Sequence, residues 1–199
     1  MTGAAAAHEG PHLILGRYRA IQPLGSGGSG TVWLVRDVLE DRDVALKIVP
    51  REGKAGERAE REAHAVARLR SRHCARAYAV QRDERHVYVA YEYVPGRTLR
   101  EAIRTGELDD AGAVEAAAQI LDALSHAHRR KVIHRDVKPA NVLLEDTDGI
   151  SVRLLDFGLA QLEEVDTLTA AGDVPGTLAY IAPERLAGKP TTGGADVWA

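Results

Sequence analysis

The segment His134-Arg135-Asp136-Val137-Lys138-Pro139-Ala140-Asn141, followed by Asp156-Phe157-Gly158 and Ala182-Pro183-Glu184, constrains this chain more than any other feature. Fixing the identities His-Arg-Asp, Lys, Asn, Asp-Phe-Gly and Ala-Pro-Glu, at roughly 5% usage each, gives a coincidence probability on the order of 10⁻¹⁴ per placement. The residues are therefore read as one set. They supply a carboxylate (Asp136), a cation two positions on (Lys138), and two hard oxygen donors (Asn141 and Asp156). Phosphoryl transfer from ATP asks for these groups: oxygen ligands for Mg²⁺, a cation near the γ-phosphate and a carboxylate to orient the attacking hydroxyl. Since a carboxylate is a weak base, Asp136 is expected to orient that hydroxyl and accept its proton late.

A glycine-rich run, Gly25-Ser26-Gly27-Gly28-Ser29-Gly30, fits the same chemistry. Alone, G-x-G-x-x-G is a weak signal, because dinucleotide-binding folds share it. Those folds need a helix directly after the glycines, whereas Thr31-Val32-Trp33-Leu34-Val35 favours a strand. A strand, glycine loop, strand hairpin can lay backbone N–H groups over phosphate oxygens, since no Cβ blocks the approach. No G-x-x-x-x-G-K-[ST] sequence is present, which counts against a P-loop NTPase.

The rest of the chain frames these motifs. Residues 1–15 read as a flexible tail with an Ala4–Ala7 run. From Tyr18 to Tyr93 strands dominate: Val44–Val49 is an apolar run after a turn-like Asp41-Arg42-Asp43, and Val87–Tyr93 is another, broken by Pro95-Gly96. Between them a helix is expected from about Glu57 to Arg70, with Ala59, Ala63, Val66 and Leu69 at helical spacing. Glu62 lies beside that stripe and needs a cation, for which Lys47 is the candidate. Leu108–Arg129 reads as a helix with Asp109 or Asp110 as its cap. Two compositions imply two lobes, residues 16–94 and 95–199, with a hinge near Glu92–Gly96. The net charge of −3, with both signs interleaved, gives no reason to expect nucleic acid as a partner. The lone Cys74 excludes an internal disulfide and is read as a buried small side chain. With no signal-like start and no apolar run long enough to span a bilayer, the chain is expected to be cytoplasmic with no membrane segment. His126, His128 and His134 are read as structural and not as zinc ligands, because no Cys is near.

In these motifs the sequence resembles the eukaryotic-type serine/threonine protein kinases, with bacterial members the most similar, from about Tyr18 to the last residue. The resemblance implies an α+β, two-lobe fold: an antiparallel sheet plus one helix, then a mainly helical second lobe. It implies ATP and Mg²⁺ as cofactors and a protein substrate phosphorylated on Ser or Thr. By its terms Lys47, in Val44-Ala45-Leu46-Lys47, holds the α- and β-phosphates and pairs with Glu62. Gly25, Ser26, Gly27, Gly28, Ser29 and Gly30 cover the phosphates. Val32, Ala45 and Leu143 sandwich the adenine, and backbone groups of Glu92 and Val94 bind its edge. Tyr91 narrows the rear of that pocket. Asp136 and Lys138 act at the hydroxyl, and Asn141 and Asp156 hold metal.

Lys138 is the residue that tyrosine kinases usually replace, and Gly176-Thr177-Leu178-Ala179-Tyr180 resembles the serine/threonine substrate-docking loop, with Thr177 expected to bond Asp136 and Lys138. Thr167 and Thr169 are candidate phosphorylation sites. The resemblance implies that Asp196 holds the backbone of the catalytic loop, but three residues from the last residue given its helix is expected to fray. Two departures stand out. His73-Cys74-Ala75-Arg76 replaces the usual His-Pro and apolar residues, and the helices that follow Asp196-Val197-Trp198-Ala199 in the family are absent here. The second departure implies a C-terminally truncated second lobe, apolar faces that invite self-association, and weak activity for the 199 residues alone. The alternative is an inactive nucleotide-binding remnant that acts through partner binding. A small-molecule phosphotransferase ranks last, because it lacks a peptide-docking segment like Gly176–Glu184.

Overall fold

The computed structural model describes residues 13–27, 30–51, 60, 63–157 and 179–199. The first half forms a five-stranded antiparallel sheet in the order β1-β2-β3-β5-β4, from β1 (Tyr18–Gly27), β2 (Gly30–Asp37), β3 (Arg42–Pro50), β4 (Ala77–Arg82) and β5 (His86–Glu92). Side chains alternate across a strand, so the register decides which residues share a face. In β3 and β5, Val44, Leu46, Tyr88 and Ala90 turn to one face, where they bury with Tyr18 and Val35. Ala45, Lys47 and Val49, with Val87, Val89 and Tyr91, turn to the other, toward the larger core. That core continues through Ala63, Val66 and Leu69 into the second half of the chain. The pleat thus delivers Lys47 to the inner face.

A helix is present at residues 63–66, but it stops short of the expected end at Arg70. Its last turn tightens: Arg68 and Leu69 donate to the carbonyls of Ala65 and Val66, three residues back. The amide of Arg70 donates instead to Nε2 of His126, 3.2 Å away on a distant helix. Helical spacing of Leu69 had suggested a longer helix; tertiary contacts end it.

The second half contains α1 (Leu99–Thr105) and α2 (Asp110–Arg129). A capping box of Thr98 and Glu101 starts α1, and Asp109 caps α2 by accepting from the Gly112 amide at 2.7 Å. Sequence reading expected helix almost throughout this half, yet it also holds a small antiparallel sheet of β6 (Gly96–Thr98), β7 (Val142–Glu145) and β8 (Val152–Leu154). Strands this short carry too few residues to show a period. The outer edge of β8 is closed by side chains and by a segment from the first half. Gln119 of α2 donates to the Ile150 carbonyl and accepts from the Val152 amide. Leu154 donates to the His73 carbonyl and accepts from the Ala75 amide, and the His73 ring donates from Nδ1 to the Val152 carbonyl. Two short helices, α3 (Pro183–Leu186) and α4 (Gly194–Trp198), complete the described chain. Cys74 is buried, and that burial pushes its thiol up to about 11, so it behaves as a small apolar side chain.

At the turn after β2, Asp37 accepts both Nε and Nη2 of Arg17 at 2.8 and 2.7 Å, beside the fully buried Tyr18. These bonds hold the Asp37 carboxyl below the usual range. A carboxyl whose folded pKa is depressed stabilises the fold above its unfolded pKa and loses that contribution as pH falls through the folded value. We therefore expect Asp37→Ala to cost about 2 kcal/mol at neutral pH. The gap between variant and parent in urea unfolding should close below about pH 4; a gap that persists in acid would exclude the ion pair as its source.

Candidate active site

The hairpin of β1 and β2 closes at Gly27 opposite Gly30, with Ser26 opposite Thr31 and Gly25 opposite Val32. Gly30 has φ +114°, and a Cβ there would lie 2.2 Å from the Ile48 carbonyl oxygen, so the backbone itself requires glycine. Gly25 and Gly27 differ: a Cβ on either would meet nothing within 4 Å. Packing within the chain does not demand glycine at those two positions. Open space over glycine backbone is what a phosphate cradle needs. Gly28 and Ser29 lie outside the described residues.

Val32 pairs with Lys47 across β2 and β3, and Ala45 pairs with Tyr91 across β3 and β5. Lys47 is 2% exposed, and its Nζ stands 3.0 Å from Oδ1 of Asp156. The expected partner Glu62 lies outside the described residues; among those described, Asp156 is the carboxylate that neutralises this buried cation. Tyr91 is buried beside them. Its hydroxyl has no hydrogen-bond partner among the described residues, and burial raises its pKa. At the end of β5 the Glu92 amide donates to the Arg76 carbonyl at 2.8 Å. Val94 follows in irregular chain, and Leu143 sits half-buried in β7.

The catalytic-loop motif is held from both sides. The side chain of Asp196, fully buried, accepts the amides of His134 and Arg135 at 2.8 and 2.7 Å and the Nε2–H of His128 at 2.7 Å. His134 donates from Nε2 to the Leu155 carbonyl at 2.7 Å and accepts the Asp136 amide at Nδ1, while its ring rests against Phe157. Burial lowers the His134 pKa, which keeps the ring neutral and able to accept at Nδ1. Arg135 and Asp156 adopt φ of +70° and +56°, strained values for non-glycine residues that these bonds over-determine.

Out of this frame the carboxylate of Asp136 receives Nζ of Lys138 and Nδ2 of Asn141, both at 2.8 Å. Nδ2 of Asn141 also donates to the Asp136 carbonyl, and the Asn141 carbonyl accepts the Leu155 amide, which places Asp156 next in line. The side-chain carbonyl of Asn141 accepts no hydrogen bond among the described residues. That oxygen and the Asp156 carboxylate are hard donors of the kind Mg²⁺ takes. Among the described residues no group of three His, Cys, Asp or Glu side chains could hold a metal. Sequence reading missed the part played by His128. The available signal was its position four residues after buried Leu124, on the apolar stripe of α2, where a polar side chain needs a partner. Thr167, Thr169 and Thr177, and Gly158 of the Asp-Phe-Gly motif, lie outside the described residues.

A hairpin with open glycines, a buried lysine on the adjoining strand and a carboxylate–lysine–asparagine loop make up the candidate site. The chain belongs to the protein kinase family: the model for the protein kinase domain matches residues 18–199. It is 34% identical over 191 residues to the serine/threonine-protein kinase PrkC of Bacillus subtilis, covering 94% of this chain and 29% of that protein. It is 38% identical over 179 residues to PknL of Mycobacterium tuberculosis, covering 87% of this chain and 44% of that kinase. Identity to the kinase PknJ of the same species is 37% over 191 residues, 93% of this chain and 32% of that protein. The chain thus spans less than half the length of these curated relatives.

Two substitutions, with a third as control, test the frame. Asp196→Ala orphans two buried amides and should cost about 3 kcal/mol. Hydrogen exchange at His134 and Arg135 should accelerate in this variant, and unchanged protection would show that Asp196 does not hold the loop. Gly30→Ala forces a Cβ against the Ile48 carbonyl and should lower stability by about 1–3 kcal/mol in thermal or urea unfolding. Gly27→Ala, open to solvent, should leave stability nearly unchanged.

Proposed function

We propose that this protein transfers the γ-phosphoryl group of Mg-ATP to serine or threonine hydroxyls of proteins. The observation that carries the reading is the placement of Asp136 between Lys138 and Asn141, with Asp156 brought alongside through the Asn141 carbonyl. In this reading Asp136 orients the acceptor hydroxyl and receives its proton. Lys138 balances the charge that gathers on the transferred group. Asn141 and Asp156 would hold Mg²⁺, which when bound would supply positive charge to neutralise the phosphates. Lys47 would hold the α- and β-phosphates, and Glu62 would orient it. Gly25, Ser26, Gly27, Gly28, Ser29 and Gly30 cover the phosphates. Val32, Ala45 and Leu143 contact the adenine, with the Glu92 carbonyl and the Val94 amide at its edge and Tyr91 at the rear.

The division into residues 16–94 and 95–199 fits the two sheets, β1 to β5 in the first part and β6 to β8 in the second. No described helix is long and apolar enough to cross a membrane, and together with the single buried cysteine this supports a cytoplasmic setting for the domain. Names of the relatives support Ser/Thr specificity, as does Lys138. No observation favours the inactive remnant, because Lys47, Asp136 and Asp156 are all present.

The test is transfer of labelled phosphate from Mg-ATP to a serine- or threonine-containing protein such as myelin basic protein. Asp156→Ala should reduce transfer by at least about 10³-fold, as loss of a metal ligand would. Asp136→Asn should lower kcat by a similar factor with little change in the KM for ATP. Transfer retained by the Asp156 variant would sink the metal assignment, and phosphate appearing on tyrosine alone would sink the specificity.

A further inference from the structure

The peptide unit between Arg135 and Asp136 sets the direction in which the Asp136 side chain leaves the backbone, and being planar it turns as one piece. On one side, the N–H of Asp136 reaches Nδ1 of His134 at 3.2 Å, at the long end of hydrogen-bond distances. On the other, the carbonyl of Arg135 accepts Nη1 of Arg185. Arg185 belongs to α3, and the proposed transfer gives it no part. Its guanidinium stays charged across the working pH range, and hydrogen bonds from a charged donor are about twice as strong as neutral ones. Burial lowers the Arg185 pKa while the carboxylates of Asp136 and Asp196 act to raise it, so both acids lie within electrostatic reach of this side chain. Apolar burial does little to seat α3: Ala182, just before it, is buried, but no residue of the helix itself is, and Leu186 is 57% exposed. Arg135 meanwhile holds φ +70°, a conformation that a non-glycine residue keeps only where its neighbours impose it. Asp196 imposes it at the amide and Arg185 at the carbonyl.

We propose that Arg185 is a positioning residue for the phosphoryl transfer: it ties α3 to the catalytic loop and holds the Arg135–Asp136 peptide in the orientation from which Asp136 meets the acceptor hydroxyl. Its effect on rate rests on the function proposed above; the hold on the peptide does not. Lys138 and Asn141 belong to the same loop as Asp136, so their bonds to its carboxylate fix the internal shape of that loop. Arg185 fixes the loop relative to α3, as Asp196 fixes it relative to α4. Without Arg185 the peptide plane is held at its amide alone, by the weaker of its two bonds. A misplacement of about 1 Å at a reacting group costs about 10²-fold in rate, which sets the scale of the loss.

The experiment compares Arg185→Ala, Arg185→Gln and Arg185→Lys with the parent protein, and Leu186→Ala, an exposed change in the same turn, is the control. Phosphoryl transfer, hydrogen exchange at the Asp136 amide and unfolding temperature are measured for each. We expect Arg185→Ala to lower kcat by about 10- to 100-fold while the KM for ATP changes by less than about twofold. Exchange at Asp136 should accelerate at least about tenfold in that variant. Arg185→Lys keeps a charged donor and should recover most of the loss; Arg185→Gln keeps a neutral donor and should recover less. In an Asp136→Asn background, Arg185→Ala should lower kcat further by less than about twofold, because its effect runs through Asp136. Leu186→Ala should match the parent in rate and exchange. Should Arg185→Ala fail to fold, the contrast between the lysine and glutamine variants decides the matter. A parent without transfer would sink the proposed function, and exchange at Asp136 would then judge the positioning role by itself. Unchanged kcat or exchange in Arg185→Ala, a lysine variant no better than alanine, an equal loss in Leu186→Ala, or full additivity with Asp136→Asn would overturn the proposal.

Discussion

The carboxylate of Asp196 is the contact on which the arrangement of the site rests. It is removed from water, and a buried charge without partners is among the costliest things a fold can hold. Here its partners are two consecutive backbone amides, His134 and Arg135, and the His128 ring from α2. Gly193, just before α4, permits this approach, because a Cβ there would lie 2.9 Å from the His128 ring. The constraint then passes along the chain. With two amides fixed, Arg135 accepts its left-handed backbone, His134 turns its ring to the Leu155 carbonyl, and Asp136 projects toward Lys138 and Asn141. One acid thus fixes the spacing between the loop bearing Asp136 and the strand end bearing Asp156.

The opposite wall is built by register. Because β2, β3 and β5 are in strict antiparallel pairing, Val32, Lys47 and Val89 line up across three strands. A one-residue slip of β3 would turn Lys47 to the other face, against Tyr88 and Ala90 and away from Asp156. Gly30 guards that register at the hairpin end, since its backbone lies against the Ile48 carbonyl.

Chemistry-bearing residues were legible in the sequence because transfer chemistry tolerates few substitutes for them. Asp136 meets Lys138 and Asn141, with Asp156 one residue beyond the amide that the Asn141 carbonyl accepts, while Asp196 accepts the loop amides from a formed helix where a frayed end was expected. The strands β2, β3 and β5 were legible too, through β-branched runs. What escaped was set by contacts between distant segments. The β6-β7-β8 sheet uses strands of three or four residues, too short to carry a period. The helix ending at residue 66 is cut short by a bond from Arg70 to His126, fifty-six positions away. The seam at the edge of β8 was invisible for the same reason: His73, Ala75 and Leu154 are unremarkable as letters and become neighbours only when β8 lies beside the segment that leads into β4.

That neighbourhood has a consequence for solubility. An uncovered strand edge offers unpaired N–H and C=O groups to any passing chain, and proteins avoid leaving such edges bare. In β8 the amide and carbonyl of Val152 are taken by side chains of Gln119 and His73, and those of Leu154 by the backbone of His73 and Ala75. A short strand of the second half is thereby sealed with backbone borrowed from the first. Recruitment of a foreign strand at this edge must first peel residues 73–75 away, so here resistance to cross-chain pairing and attachment of the two halves are one physical fact.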